Sequence, residues 1–179
     1  MKTILQSLRA LLVLTILTGV LYPLIVTAAA KLLFAKQANG SLVERDGRII
    51  GSALLAQKTE NPRYFWPRPS AADYATVASG ASNQGPTSAV LAKAVEDRRA
   101  KFGPDAPADL LTASGSGLDP HISPEAARLQ ASRVAAERSL SNEKVAALID
   151  AQIEPPQLGF LGNARVNVLA LNLALDALK

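Results

Sequence analysis

Ala10-Leu-Leu-Val-Leu-Thr-Ile-Leu-Thr-Gly-Val-Leu-Tyr-Pro-Leu-Ile-Val-Thr-Ala-Ala-Ala30 runs 21 residues without a charge. As an α-helix it reaches about 31 Å, the thickness of a bilayer's hydrocarbon core at about 30 Å. Pro23 leaves the carbonyl of Gly19 without its helical donor and predicts a bend there. Thr15, Thr18 or a neighbouring helix can absorb that cost, so Gly19, Tyr22 and Pro23 are the features that shape this anchor. A cleaved signal peptide is the competing reading, because Ala28-Ala29-Ala30 offers an A-x-A site. The apolar run is longer than a signal core of 7–15 residues, which favours a retained span. Lys2 and Arg9 on one side nearly balance Lys31 and Lys36 on the other, so charge leaves the orientation open.

Outward from this stretch the chain changes character. Three of its 19 Lys and Arg lie in the first 34 residues, so the other 145 residues carry 16 basic side chains against all 15 acidic ones. A near-neutral domain lacks the basic face a nucleic-acid binder needs. The chain has no Cys and one His, which excludes disulfides, thiol catalysis and the usual zinc sets. No cofactor site or metal site of its own is expected.

The remainder, residues 34–179, reads as one compact α+β domain. Residues 41–55 predict a β-hairpin turning at Asp46-Gly47. Asn61-Pro-Arg-Tyr-Phe-Trp-Pro-Arg-Pro-Ser70 has three prolines and predicts an ordered loop or edge strand. Helices are expected over about 87–102, from the Ser123 cap with Pro124 in first position to about Arg138, after the Ser141 cap, and over about 166–178. A β-hairpin or small sheet with about four helices is therefore the predicted architecture.

Two loops imitate catalytic motifs. Gly80-x4-Gly85-Pro-Thr87 has P-loop spacing, but proline stands where the lysine should be; Gly80, Gly85 and Thr87 remain weak candidates for an anion. Asp119-Pro-His121, with Ser114 or Ser123, falls within one turn, where a hydrolytic series is hard to align. Tyr64, Phe65, Trp66, Arg63 and Arg68 read either as a binding platform or as rings packed into the core.

The order of these pieces resembles one family: Leu21-Tyr-Pro23, Glu44-Arg-Asp-Gly47, Gly51-Ser-Ala-Leu54, Tyr64-Phe-Trp-Pro-Arg-Pro-Ser-Ala71, Ser82-Asn-Gln-Gly-Pro-Thr87, Ala108 to Ala126, and Arg165 to Asp176. The chain is similar to KdpC, the C subunit of the bacterial high-affinity potassium-transporting ATPase. Pro67 stands where glycine is common, and Gly162-Asn-Ala where Gly-Glu/Lys-Pro is usual.

The resemblance implies a non-catalytic accessory subunit in the cell inner membrane. Residues 1–9 would form a short cytoplasmic N-terminus, 10–33 a single-pass transmembrane helix, and 34–179 a periplasmic domain. Its implied partners are a K+-translocating channel-like subunit, a P-type ATPase catalytic subunit and a small single-helix subunit. The complex would use ATP with Mg2+ and transport K+. The subunit would support assembly and raise the ATP affinity of the catalytic subunit, as a catalytic chaperone. Interface candidates are Tyr64, Phe65, Trp66, Arg68, Asn83, Gln84, Asp119 and His121, on loops expected to gather at one end. An independent membrane-anchored periplasmic binding module or enzyme is the alternative.

Overall fold

The computed structural model describes residues 2–178. The chain falls into two units, one running to Ile50 and one beginning at Gly51.

In the first unit, α1 (Lys2–Ile16), a π-turn (Leu17–Leu21) and α2 (Tyr22–Leu33) form one continuous helix. It spans 32 residues, none of them buried within the protein, and is long and apolar enough to cross a membrane. The π-turn is how the chain accommodates Pro23. Tyr22 N–H reaches back five residues to the Leu17 carbonyl. That wider spacing moves the donor required by Gly19 from Pro23, which has none, to the next residue. Pro23 then sits in the first turn of α2, where a missing N–H costs little. Thr18 is not the compensating group, contrary to expectation: its hydroxyl donates to the Leu14 carbonyl at 2.7 Å.

A short helix, α3 (Ala35–Ala38), precedes the hairpin of β1 (Leu42–Arg45) and β2 (Arg48–Ser52). Asp46 and Gly47 lie at φ +52° and +72°, the left-handed pair of a tight hairpin turn.

The second unit packs α4 (Ala89–Phe102), α5 (Ala108–Leu111), α6 (Pro124–Arg138), α7 (Asn142–Ala151) and α8 (Val168–Ala177) with a small sheet. That sheet has β5 (Arg165–Asn167) between β3 (His121–Ile122) and β4 (Ile153–Glu154), antiparallel to both. Ile122 and Ile153 flank Val166 across it. The strands are too short to show alternation, and sequence reading missed all three. The helix expected from about 166 begins at Val168, because Val166 and Asn167 belong to β5. Asn167 ends the strand and caps the helix, its side chain accepting from Ala170 N–H.

Ser123 and Ser141 cap α6 and α7 as expected, accepting from Ala126 and Lys144 N–H. The helix placed at 87 starts two residues later, capped by Ser88. Ala127, Val134, Val145, Ile149, Val166, Leu171 and Leu175 share one apolar core with Phe65.

Candidate functional site

Residues 61–70 form no helix or strand, yet their backbone groups still require partners. Side chains supply them. Phe65 N–H donates to Asn172 Oδ1 at 2.8 Å, and Asn172 Nδ2 donates back to the Phe65 carbonyl at 3.0 Å. Gln130 repeats the exchange on Trp66, at 2.8 Å and 3.1 Å. The two amides act as a substitute strand. Arg133 adds donors to the carbonyls of Pro62 and Tyr64, and Arg138 to that of Arg63. The breaker-rich segment is thereby held against α6 and α8.

This clamp sorts the three rings. Phe65 is fully buried in the core, so it is corrected from surface candidate to packing residue. Tyr64 is half-buried and donates to Asp176 Oδ2 at 3.2 Å, beneath the Arg138 guanidinium 4.7 Å from its ring centre. Trp66 is also half-buried. Arg133 and Lys101 stand 3.8 and 4.0 Å from its ring centre, and Phe102 meets it edge-on at 5.9 Å. Cations this close to an indole gain from its π face.

Beside it, Arg68 Nη1 donates to Asp119 Oδ2 at 2.9 Å. Asp119 Oδ1 accepts from the His121 backbone N–H at 3.0 Å and lies 3.5 Å from His121 Nδ1. Ser114 N–H donates to the Pro69 carbonyl, tying the 114–121 loop to the proline segment. Gly117, at φ +70°, passes so close to the Gly80 carbonyl that a Cβ would sit 3.0 Å from it. Tyr74 donates to the Arg68 carbonyl at 2.8 Å, and burial pushes its hydroxyl up to about 12.

Arg68, Asp119 and His121 are therefore brought together, with Trp66 on the neighbouring turn. Asn83, Gln84, Gly85 and Thr87 lie exposed. Gln84 accepts from the Ser88 hydroxyl at 2.6 Å. A Cβ at Gly80 or Gly85 would meet nothing, so this loop does not wrap a phosphate-sized space as a P-loop does. The expectation that Asp119 and His121 cannot align is corrected, since they touch. Neither serine completes a series, however. Ser123 gives its N–H and hydroxyl to Asp109, and Ser114 is buried. Among the described residues no cluster of His, Cys, Asp and Glu is placed to hold a metal ion.

Sequence reasoning missed Asn172, Gln130, Arg133 and Arg138. A signal existed for Gln130, which shares four-residue spacing with Ala126 and Val134 and so falls on the buried face of α6.

The Asp119 carboxyl carries a pH prediction. Burial pushes it up, but the His121 ring and N–H and the Arg68 guanidinium outweigh burial and hold it at about 2, against an ordinary 3.8. The unfolded chain binds this proton more readily. The contribution is therefore complete above about pH 4 and is lost as pH falls towards about 2. The melting-temperature gap between wild type and Asp119→Asn should narrow over that window. A gap unchanged from pH 6 to pH 2 would show that the carboxylate's charge contributes nothing.

The fold and this constellation define a small α+β domain following one long apolar helix, with its ordered loops held by side-chain clamps. Residues 4–177 match the family described as "KdpC: K+-transporting ATPase, c chain". The Potassium-transporting ATPase KdpC subunit of Polaromonas naphthalenivorans is 55% identical, covering all of this chain and 97% of the relative. Those of Methylococcus capsulatus and Cereibacter sphaeroides strain KD131 are 54% and 53% identical, over 97% and 96% of this chain and 96% and 95% of theirs. The chain belongs to the KdpC family.

Proposed function

We propose that the chain is a non-catalytic accessory subunit of an ATP-driven potassium-uptake complex. The observation that carries this reading is a family match running unbroken through helix and domain. Residues 1–9 are cytoplasmic, 10–33 span the inner membrane as a retained anchor, and 34–179 face the periplasm. The partners are the channel-like potassium-translocating subunit, the P-type catalytic subunit and the small single-helix subunit, with ATP, Mg2+ and K+ handled by them. The surface of Tyr64, Trp66, Arg68, Asp119 and His121, with exposed Asn83 and Gln84, meets the channel-like subunit.

A periplasmic domain cannot touch cytoplasmic ATP across roughly 30 Å of hydrocarbon. Any rise in ATP affinity is a coupling free energy, typically about 1–3 kcal/mol. The π-turn and the subunit contacts outside are the elements able to transmit it.

One experiment tests the assignment. The chain should co-purify from detergent with the multi-helix subunit. A single cysteine at Ser141, an exposed cap, should react with a membrane-impermeant thiol reagent in intact cells. Labelling only after lysis, or a mature chain beginning near Lys31, would refute the topology.

A further inference from the structure

Pro155-Pro-Gln-Leu-Gly-Phe-Leu-Gly-Asn-Ala164 contains no charged residue, and sequence reading assigned it only the role of stopping a helix. Its backbone closes on itself. Gly159 N–H donates to Pro156 O at 3.0 Å and Phe160 N–H to Gln157 O at 3.3 Å. Gln157 and Leu161 exchange both of their N–H donors, at 3.0 and 2.9 Å. On this rigid turn Leu158, Phe160 and Leu161 are 81%, 74% and 50% exposed. No other short stretch among the described residues of the second unit groups three large exposed apolar side chains.

Leu158 is the informative residue. It sits at φ +54°, beside Gly159 at +82°. Left-handed backbone favours Gly, Asn or Asp, and a bulky side chain there is disfavoured. The side chain is then left in water. Backbone conformation and solvation both oppose leucine at this position, so the folded domain alone gives no reason for it. An exposed apolar cluster of this kind marks a contact with another surface.

We infer that the 157–161 turn is a preformed plug that seats in an apolar recess on the outer face of the potassium-translocating integral subunit. This rests on the reading under Proposed function. The turn's chemistry selects that occupant. A bilayer surface is normally met with free basic residues beside the apolar ones. This stretch has none, and the nearest, Arg165, is paired with Glu154 at 2.9 Å. A second copy would have to present the same protruding turn, and two such turns are not self-complementary as a twofold interface requires. A recess in a different subunit fits the protrusion. The satisfied backbone lets the turn enter without stranding polar groups, and its rigidity lowers the ordering cost of binding.

The test uses the full chain co-expressed with its complex, tagged on the integral subunit. Phe160→Asp should reduce the chain retained after detergent washing about tenfold or more, as losing an apolar anchor does. Leu158→Asn should do two opposite things. It should raise the melting temperature of the full chain in detergent by about 2–4 °C, by relieving the backbone, and it should weaken retention. Retention of both variants at the wild-type level overturns the plug and leaves the subunit assignment standing. Failure of the wild type itself to be retained overturns both. A fluorophore on Phe160→Cys, quenched by brominated lipid in nanodiscs holding the chain alone, would seat the turn in lipid and overturn the plug. Crosslinking from that position only to a second copy would do the same.

Discussion

Phe65→Ala should lower the melting temperature of the full chain by roughly 6–20 °C. The ring is fully buried and belongs to the central core cluster with Leu110, Val134 and Leu171. Truncating such a phenylalanine costs about 3–5 kcal/mol in lost transfer energy and residual cavity, and each kcal/mol is worth about 2–4 °C in a chain of this size. The Asn172 and Gln130 clamps on the backbone of residues 65 and 66 enlarge the effect, because they hold the segment in place and limit collapse around the void. Phe65→Leu, which keeps most of the volume, should recover the larger part. A fall under about 3 °C for the alanine variant would show that the 61–70 segment is not integral to the core.

Arg138→Met should cost about 3–5 kcal/mol, the usual penalty for removing one member of a buried pair. Arg138 and Asp176 meet at 2.6 Å with side chains only 10% and 18% exposed. The guanidinium also donates to the carbonyls of Arg63 and Leu175. Methionine keeps much of the packing of the stem but leaves the Asp176 carboxylate short of its cation. Replacing both partners, Arg138→Met with Asp176→Leu, should return part of the loss, because no unpaired charge remains. Denaturant midpoints of the two variants decide the matter. A double variant less stable than the sum of its singles would mean that the pair is not the coupling element.

Legibility of the fold followed how local each cause is. The caps at Ser123 and Ser141 and the Asp46-Gly47 turn are short-range chemistry, and they stand where the sequence placed them. The three-stranded sheet was invisible because a two-residue strand such as His121–Ile122 exists only through its partner, 44 residues on at Val166. The expected contact surface was partly legible. Arg68, Asp119 and His121 do converge, but their arrangement depends on side chains far along the chain. Asn172 lies 107 residues from Phe65, and Gln130 lies 64 from Trp66. Nothing within the Tyr64-Phe-Trp-Pro stretch says which ring turns inward. The 157–161 turn passed unnoticed because its oddity is a dihedral angle, and a leucine between a glutamine and a glycine looks ordinary in one dimension.

The π-turn changes the azimuth at which the N-terminal helix displays its side chains. Each α-helical residue advances about 100° around the axis, and a π-turn takes in one residue more than an α-turn does. Everything beyond Leu21 is therefore rotated by about that angle relative to a wheel drawn for a straight helix. Thr15 and Tyr22, seven apart, would lie almost above one another on such a wheel, and here they diverge. The helix carries two stripes in place of one, the first ending before Leu17 and the second starting at Tyr22. A straight neighbouring helix can follow either stripe but not both, so one slender segment is able to face two different neighbours at two depths.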